Sequence, residues 1–133
     1  MLNYPPKILL AFSETFGDNY KEFHDWLLTN DYKELAALSS GIKGNEDAID
    51  WLLKNSYPQF AAFDGAIDKN REAVAWLQKY EFDFLEIFAS AINQNKEAIA
   101  WLNKHDLKIF VIIAAKIDHY RSNQTFDYHK LHF

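Results

Sequence analysis

Four tryptophans, Trp26, Trp51, Trp76 and Trp101, follow one another at intervals of 25 residues, and each is followed by leucine. A fixed period of this kind constrains the fold more than any other property of the chain, because a recurring unit too small to bury its own apolar face must bury it against copies of itself. The period holds in other columns. Ala48, Ala73 and Ala98 precede the tryptophans, and Tyr32, Tyr57, Phe82 and Leu107 follow them. Leu38, Phe63, Phe88 and Ile113 form a further column, and Ile42, Ile67, Ile92 and Ile117 another. Upstream, LLAFSETFGDN (Leu9 to Asn19) aligns with LAALSSGIKGN (Leu35 to Asn45), an additional half unit.

Each unit carries two helical patterns. The Trp-bearing segment has apolar residues such as Ala98, Ile99, Trp101 and Leu102 at the spacing of an amphipathic helix. Asn45, Asn70 and Asn95 stand as N-caps, and Asn19 with Glu22 has the spacing of a capping box. Asn30 and Asn55 are suited to a left-handed stop, and Asp31, Ser56 and Asp106 to capping the second helix, whose apolar positions include Phe82, Leu85, Phe88 and Ile92. Two short helices per unit make a helical hairpin. The expected fold is therefore an all-α solenoid in a single domain, 1–133, of about nine short helices. It divides into a half repeat at 5–18, repeats at about 19–44, 45–69, 70–94 and 95–117, and a capping tail at 118–133. The tryptophans are expected to form a core column, with truncation costing about 3 to 5 kcal/mol.

Ser90-Ala91-Ile92-Asn93-Gln94-Asn95-Lys96-Glu97-Ala98-Ile99-Ala100-Trp101-Leu102 resembles the helix-turn-helix of the ankyrin repeat over about half of each unit. The 25-residue period leaves no room for the β-hairpin of an ankyrin unit, and the Thr-Pro-Leu-His opening is absent. The resemblance implies an ankyrin-like stack without its hairpins, and a role in protein binding.

Chemistry is harder to find. The chain has no cysteine, which removes thiol catalysis and Cys-based zinc sites. Its formal net charge of −5 is unfavourable for binding a phosphate backbone, so no nucleic-acid partner is expected. No run reaches the ~18 apolar residues of a membrane span, and the amino end lacks a signal-peptide pattern, giving the expectation of a cytoplasmic protein without a membrane partner. No Ser-His-acid constellation and no Gly-rich phosphate loop is present, so neither catalytic residues nor a cofactor are expected. His129 and His132 with Asp127 have only a weak metal-ligand spacing, and no metal is assigned.

What remains is a surface. The positions that open the second helix of each unit vary within a constant framework, and Lys33, Glu34, Gln59, Asp83, Phe84, Lys108 and Ile109 are the candidate partner-binding face. The expected function is a non-catalytic protein-protein interaction module, in a concrete form an acidic inhibitor or immunity-type binder. The last repeat helix, Leu107 to Ala115, is apolar nearly all round and requires a cover. The tail residues Phe126, Tyr128, Leu131 and Phe133 are one candidate. The alternative is a structural homodimer through that helix, with a helical-repeat enzyme or nucleic-acid repair factor a distant third.

Overall fold

The computed structural model describes the backbone of residues 1–132 and the side chains of residues 1–123. Nine helices are present among the described residues, with no strand: α1 (Pro6–Glu14), α2 (Tyr20–Thr29), α3 (Lys33–Ile42), α4 (Glu46–Lys54), α5 (Pro58–Ile67), α6 (Arg71–Lys79), α7 (Asp83–Ile92), α8 (Lys96–Lys104) and α9 (Lys108–His132).

Local chemistry sets these boundaries. The Oδ1 atoms of Asn45, Asn70 and Asn95 accept from the N–H groups of Ala48, Ala73 and Ala98 at 3.1, 3.1 and 2.9 Å, capping α4, α6 and α8. Asn19 makes no such side-chain bond, so the expected capping box does not form. Nor do Asp31, Ser56 and Asp106 act as N-caps. They have φ of 66°, 70° and 58°, as does Glu81 at 62°, and are the left-handed stops. Asn30 and Asn55 precede the stop, and their Nδ2 groups donate to the carbonyls of Trp26 and Trp51 at 2.8 Å.

The N–H groups of Tyr32, Tyr57, Phe82 and Leu107 reach back to the carbonyls of Leu27, Leu52, Leu77 and Leu102 at 2.8 to 2.9 Å, which completes a Schellman turn in every unit. This turn corrects the reading of the tryptophans. Trp26, Trp51 and Trp76 are half-buried and stack on Tyr32, Tyr57 and Phe82 at 6.4, 6.2 and 5.6 Å, the hydrophobic clasp of the turn. Trp101 is 36% exposed and stacks on His105, whose Nδ1–H donates to the Trp101 carbonyl. The buried column of the outer helices is the neighbouring leucine: Leu27, Leu52, Leu77 and Leu102 are fully buried.

Helices α1, α3, α5, α7 and α9 carry most of the buried residues and form an inner layer. Helices α2, α4, α6 and α8 lie outside, each packed on the two inner helices that flank it in sequence. The inner helices run parallel. At the carboxyl ends of α5 and α7 Asn93 Nδ2 donates to the Ile67 carbonyl at 2.9 Å, and Phe16 just past α1 meets Tyr120, midway along α9, edge-on at 5.9 Å, while near the amino ends of α7 and α9 Phe84 meets Phe110 at 4.8 Å. Phe12, Leu38, Phe63, Phe88 and Ile113, one per inner helix, are fully buried and form the core column.

The stack curves until its ends meet. Helix α9 packs directly on α1 as well as on α7 and α8, and Lys116 Nζ lies 2.6 Å from Glu14 Oε1. The five inner helices therefore close a ring. The cover that the apolar last helix requires is supplied mainly by α1, α7 and α8, which is why Phe110, Ile113, Ala114 and Ile117 are buried. The helix does not end near residue 117 as the repeat predicts but runs on through the expected tail to His132. The side chains of Phe126, Tyr128 and Leu131, and Phe133 altogether, lie outside the described residues.

Candidate functional site

Parallel inner helices place equivalent positions on a common rim. Lys33, Glu34, Gln59, Asp83, Phe84, Lys108 and Ile109 are the first or second residues of α3, α5, α7 and α9, so all seven stand on the amino-end rim of the ring. They are not equally available. Lys33, Asp83 and Lys108 are exposed, whereas Glu34, Gln59, Phe84 and Ile109 are half-buried. Phe84 packs against Phe88 and Phe110 and so serves the core as much as the surface. Glu34 is engaged by the chain itself: Tyr4 donates its hydroxyl proton to Glu34 Oε2 at 2.6 Å, and burial together with this carboxylate holds the Tyr4 phenol protonated well above its usual range. The amino-terminal residues thereby roof part of the rim, leaving a groove of about 530 Å³ beside Leu2, Gln59, Asp83 and Phe84.

The opposite rim holds a wider cleft of about 810 Å³, lined by Lys43, Glu46, Asp64, Asp68, Asp118 and Arg121 among others. Arg121 donates to Asp68 at 2.8 Å. Burial, then the charge of Asp68, push the Asp64 carboxyl up to about 6, with Arg121 opposing them. Lys43 reaches across to donate to the Thr15 carbonyl, and its Nζ lies 4.5 Å from the Tyr20 ring and 5.5 Å from those of Phe16 and Tyr120. Burial lowers its pKa. These contacts fasten α9 to the ring beyond the last repeat. Among the described residues no three His, Asp or Glu side chains are grouped to hold a metal ion. Asp127, His129 and His132 lie outside the described side chains.

The third surface was not anticipated from the repeat. Five inner helices enclose five seams, but only four outer helices exist among the described residues to cover them, and the seam between α1 and α9 has none. The equivalent residues elsewhere show what is missing. Glu86, on the face of α7 toward the preceding outer helix, accepts from Gln78 of α6 at 2.9 Å. Its counterpart in α3, Ala36, is buried, but Leu10 at the same position of α1 is 48% exposed. On the other face of α7, Ile87 and Ser90 line the junction with Ala98 and Trp101 of the following outer helix. Their counterparts in α9, Ile112 and Ala115, are exposed, Ile112 by 55%. Between the two helices runs a groove of about 650 Å³ beside Glu14, Gly17, Ile112, Ala115 and His119.

A partial signal for this seam exists in the sequence: the column that holds Trp-Leu in four units holds Phe126-Asp127 in the next. Only closure of the ring brings α1 and α9 together at one seam. Compared with family models, curated proteins and solved structures, the chain matches none.

Proposed function

We propose that the chain is a non-catalytic protein-protein interaction module. The observation that carries this reading is the bare seam, where Leu10 and Ile112 expose apolar surface at positions that the repeat elsewhere covers with a helix. The varied amino-end rim, with Lys33, Asp83 and Lys108 exposed, gives a second surface on which specificity can be written. A net charge of −5 suits a basic partner, in keeping with an acidic inhibitor or immunity-type binder, and the resemblance of half of each unit to the ankyrin repeat points to the same class of function. No helix among the described residues is long and apolar enough to cross a membrane.

A photo-crosslinking side chain placed at Ile112, at Asp83 or, as control, at Asp50 tests the reading in extract of the native cell. A defined protein adduct from Ile112 or Asp83 and none from Asp50 is expected. Equal adducts from all three positions, or none from any, would remove the support. The exposed Ile112 on α9 also favours a second reading, a homodimer formed seam to seam. Sedimentation velocity separates the two: a dimer that Ile112→Asp converts to monomer selects the homodimer, and a monomeric wild type excludes it.

A further inference from the structure

We infer that the seam between α1 and α9 is a docking groove for one amphipathic helix of a partner protein, held where a fifth outer helix would lie. This inference rests on the interaction reading above and names the kind of partner. The covered seams define what fits. Each outer helix enters antiparallel to the two inner helices beneath it and buries a leucine completely between them, Leu77 in α6 and Leu102 in α8. It also presents a small or aliphatic pair toward the inner layer, Ala73 with Val74 or Ala98 with Ile99. The bare seam keeps the receiving chemistry. Ile112 and Ala115 match Ile87 and Ser90, which receive α8, and Leu10 is the apolar counterpart of Val111, Ala61 and Ala36.

Charge fits the same orientation. An antiparallel helix would begin beside Asp18 and end beside Lys108, so an acid meets its positive amino end and a cation its negative carboxyl end. Lys116 and His119 also lie at the amino end of the groove. Lys116 is neutralised by Glu14, and it stands where the other inner helices have Gly41, Ala66 and Ala91. The ion pair makes a raised floor, which selects for a small residue above it.

Two other occupants fit less well. Three times the chain passes from an inner to an outer helix through a left-handed residue, Gly44, Lys69 or Gln94, followed by an asparagine cap. After Ile117 neither device is present: His119 and Tyr120 are helical, and Tyr120 and Arg121 are fastened to Phe16 and Asp68. The passage from α1 to α2 also lacks both devices, but there the helix breaks after Glu14; α9 runs unbroken past this point, so the described residues contain no turn to deliver a fifth outer helix. Among the described residues a second copy has no spare outer helix to offer, since Leu27, Leu52, Leu77 and Leu102 are all committed within its own ring.

The chain supplies its own probe. A peptide of residues 95–105, α8 with its caps, carrying Ala100→Glu so that a lactam, formed with loss of water, joins the Lys96 amine to the new carboxyl on its exposed face, is titrated into the full chain and followed by anisotropy and amide chemical shifts. Expected are saturable binding, shifts confined to α1 and α9, and weakening by about tenfold or more with Leu10→Asp or Ile112→Asp, or with Leu102→Asp in the peptide, because each buries a carboxylate in an apolar contact. The peptide variant leaves the protein untouched, so a folding defect cannot mimic the result. Absence of binding, or shifts around α7 and α9 that report displacement of the internal α8, would overturn the inference. If the peptide fails while the Ile112 crosslink to a partner persists, the helix is wrong and the interaction reading stands; if the peptide fails and neither Ile112 nor Asp83 gives a specific adduct, both fall.

Discussion

The seam between α5 and α7 and the seam between α1 and α9 are built from the same columns of the repeat, yet one is a core and the other a surface. In the first, α6 inserts Leu77, fully buried, and its Ala73 approaches so closely that a Cβ on Gly65 would meet the Ala73 Cβ at 2.7 Å. In the second, Leu10 and Ile112 remain in solvent. The difference teaches that burial in this protein is decided by whether an outer helix arrives, more than by the hydrophobicity of the inner position. Ile112 is larger and more apolar than Ala37 or Ala62 of the same column, but those two are half-buried and it is exposed.

The sharpest way to break this comparison is to truncate on both sides of it. Leu77→Ala should cost about 2 to 5 kcal/mol by chemical denaturation, since it opens a cavity between helices, whereas Ile112→Ala should stay within about 0.5 kcal/mol. Comparable losses would mean that the α1–α9 seam is covered in solution.

Next in size is the Trp column. Trp76→Ala, which loses a half-buried clasp on Phe82 and Tyr80, should cost about 2 kcal/mol, and Trp101→Ala, more exposed and next to the bare end, about 1 kcal/mol. A loss at Trp101 as large as at Trp76 would show that α8 is held as tightly as α6.

A smaller effect of opposite sign probes the turns. Lys69 holds a left-handed conformation with φ of 61°, so Lys69→Gly should stabilise by about 0.5 to 1 kcal/mol. His119, 50 positions and two repeats later, is helical, and His119→Gly should destabilise by about 1 kcal/mol. Stabilisation in both variants would indicate that α9 breaks where the repeat predicts.

The least change is expected from Asp64→Asn near pH 4. The Asp64 carboxyl titrates near 6 in the fold against 3.8 unfolded, so the folded protein binds a proton more tightly and this group's contribution to stability is lost as pH rises from about 4 through about 6. The asparagine variant should therefore gain on the wild type across that window and hold a constant advantage above it, read as the difference in Tm against pH. A difference independent of pH would mean that Asp64 is not buried in solution.

Much of the fold was legible in the residues. Apolar spacing located each hairpin, and Asn45, Asn70 and Asn95 cap as their position dictates, because a cap is a contact between residues three apart. At the turns into the second helix of each unit the reading failed by one position. Asp31, Ser56 and Asp106 are residues that serve either as a cap or as a left-handed stop, and the choice depends on the Schellman bonds of the preceding turn. The tryptophans misled for a related reason: they occupy a constant column because every turn needs a clasp, which needs only half of each ring buried. The candidate face on the amino-end rim was legible as a set, since a common helical position implies a common rim in any parallel stack. That Tyr4 would roof Glu34 was not, because the contact spans 30 residues and no period relates them.

By itself, then, the sequence determined the all-α class, the hairpin repeat and the caps of α4, α6 and α8, because each depends on residues within one or two turns of one another. Only the tertiary structure decided that the stack closes, that α1 covers α9, and that among the described residues one seam of five is bare. Closure is the sum of small rotations between successive units, each set by side-chain volumes meeting across inner helices. The contact that seals it, Glu14 with Lys116, joins residues 102 positions apart, a separation over which the 25-residue period carries no information about curvature.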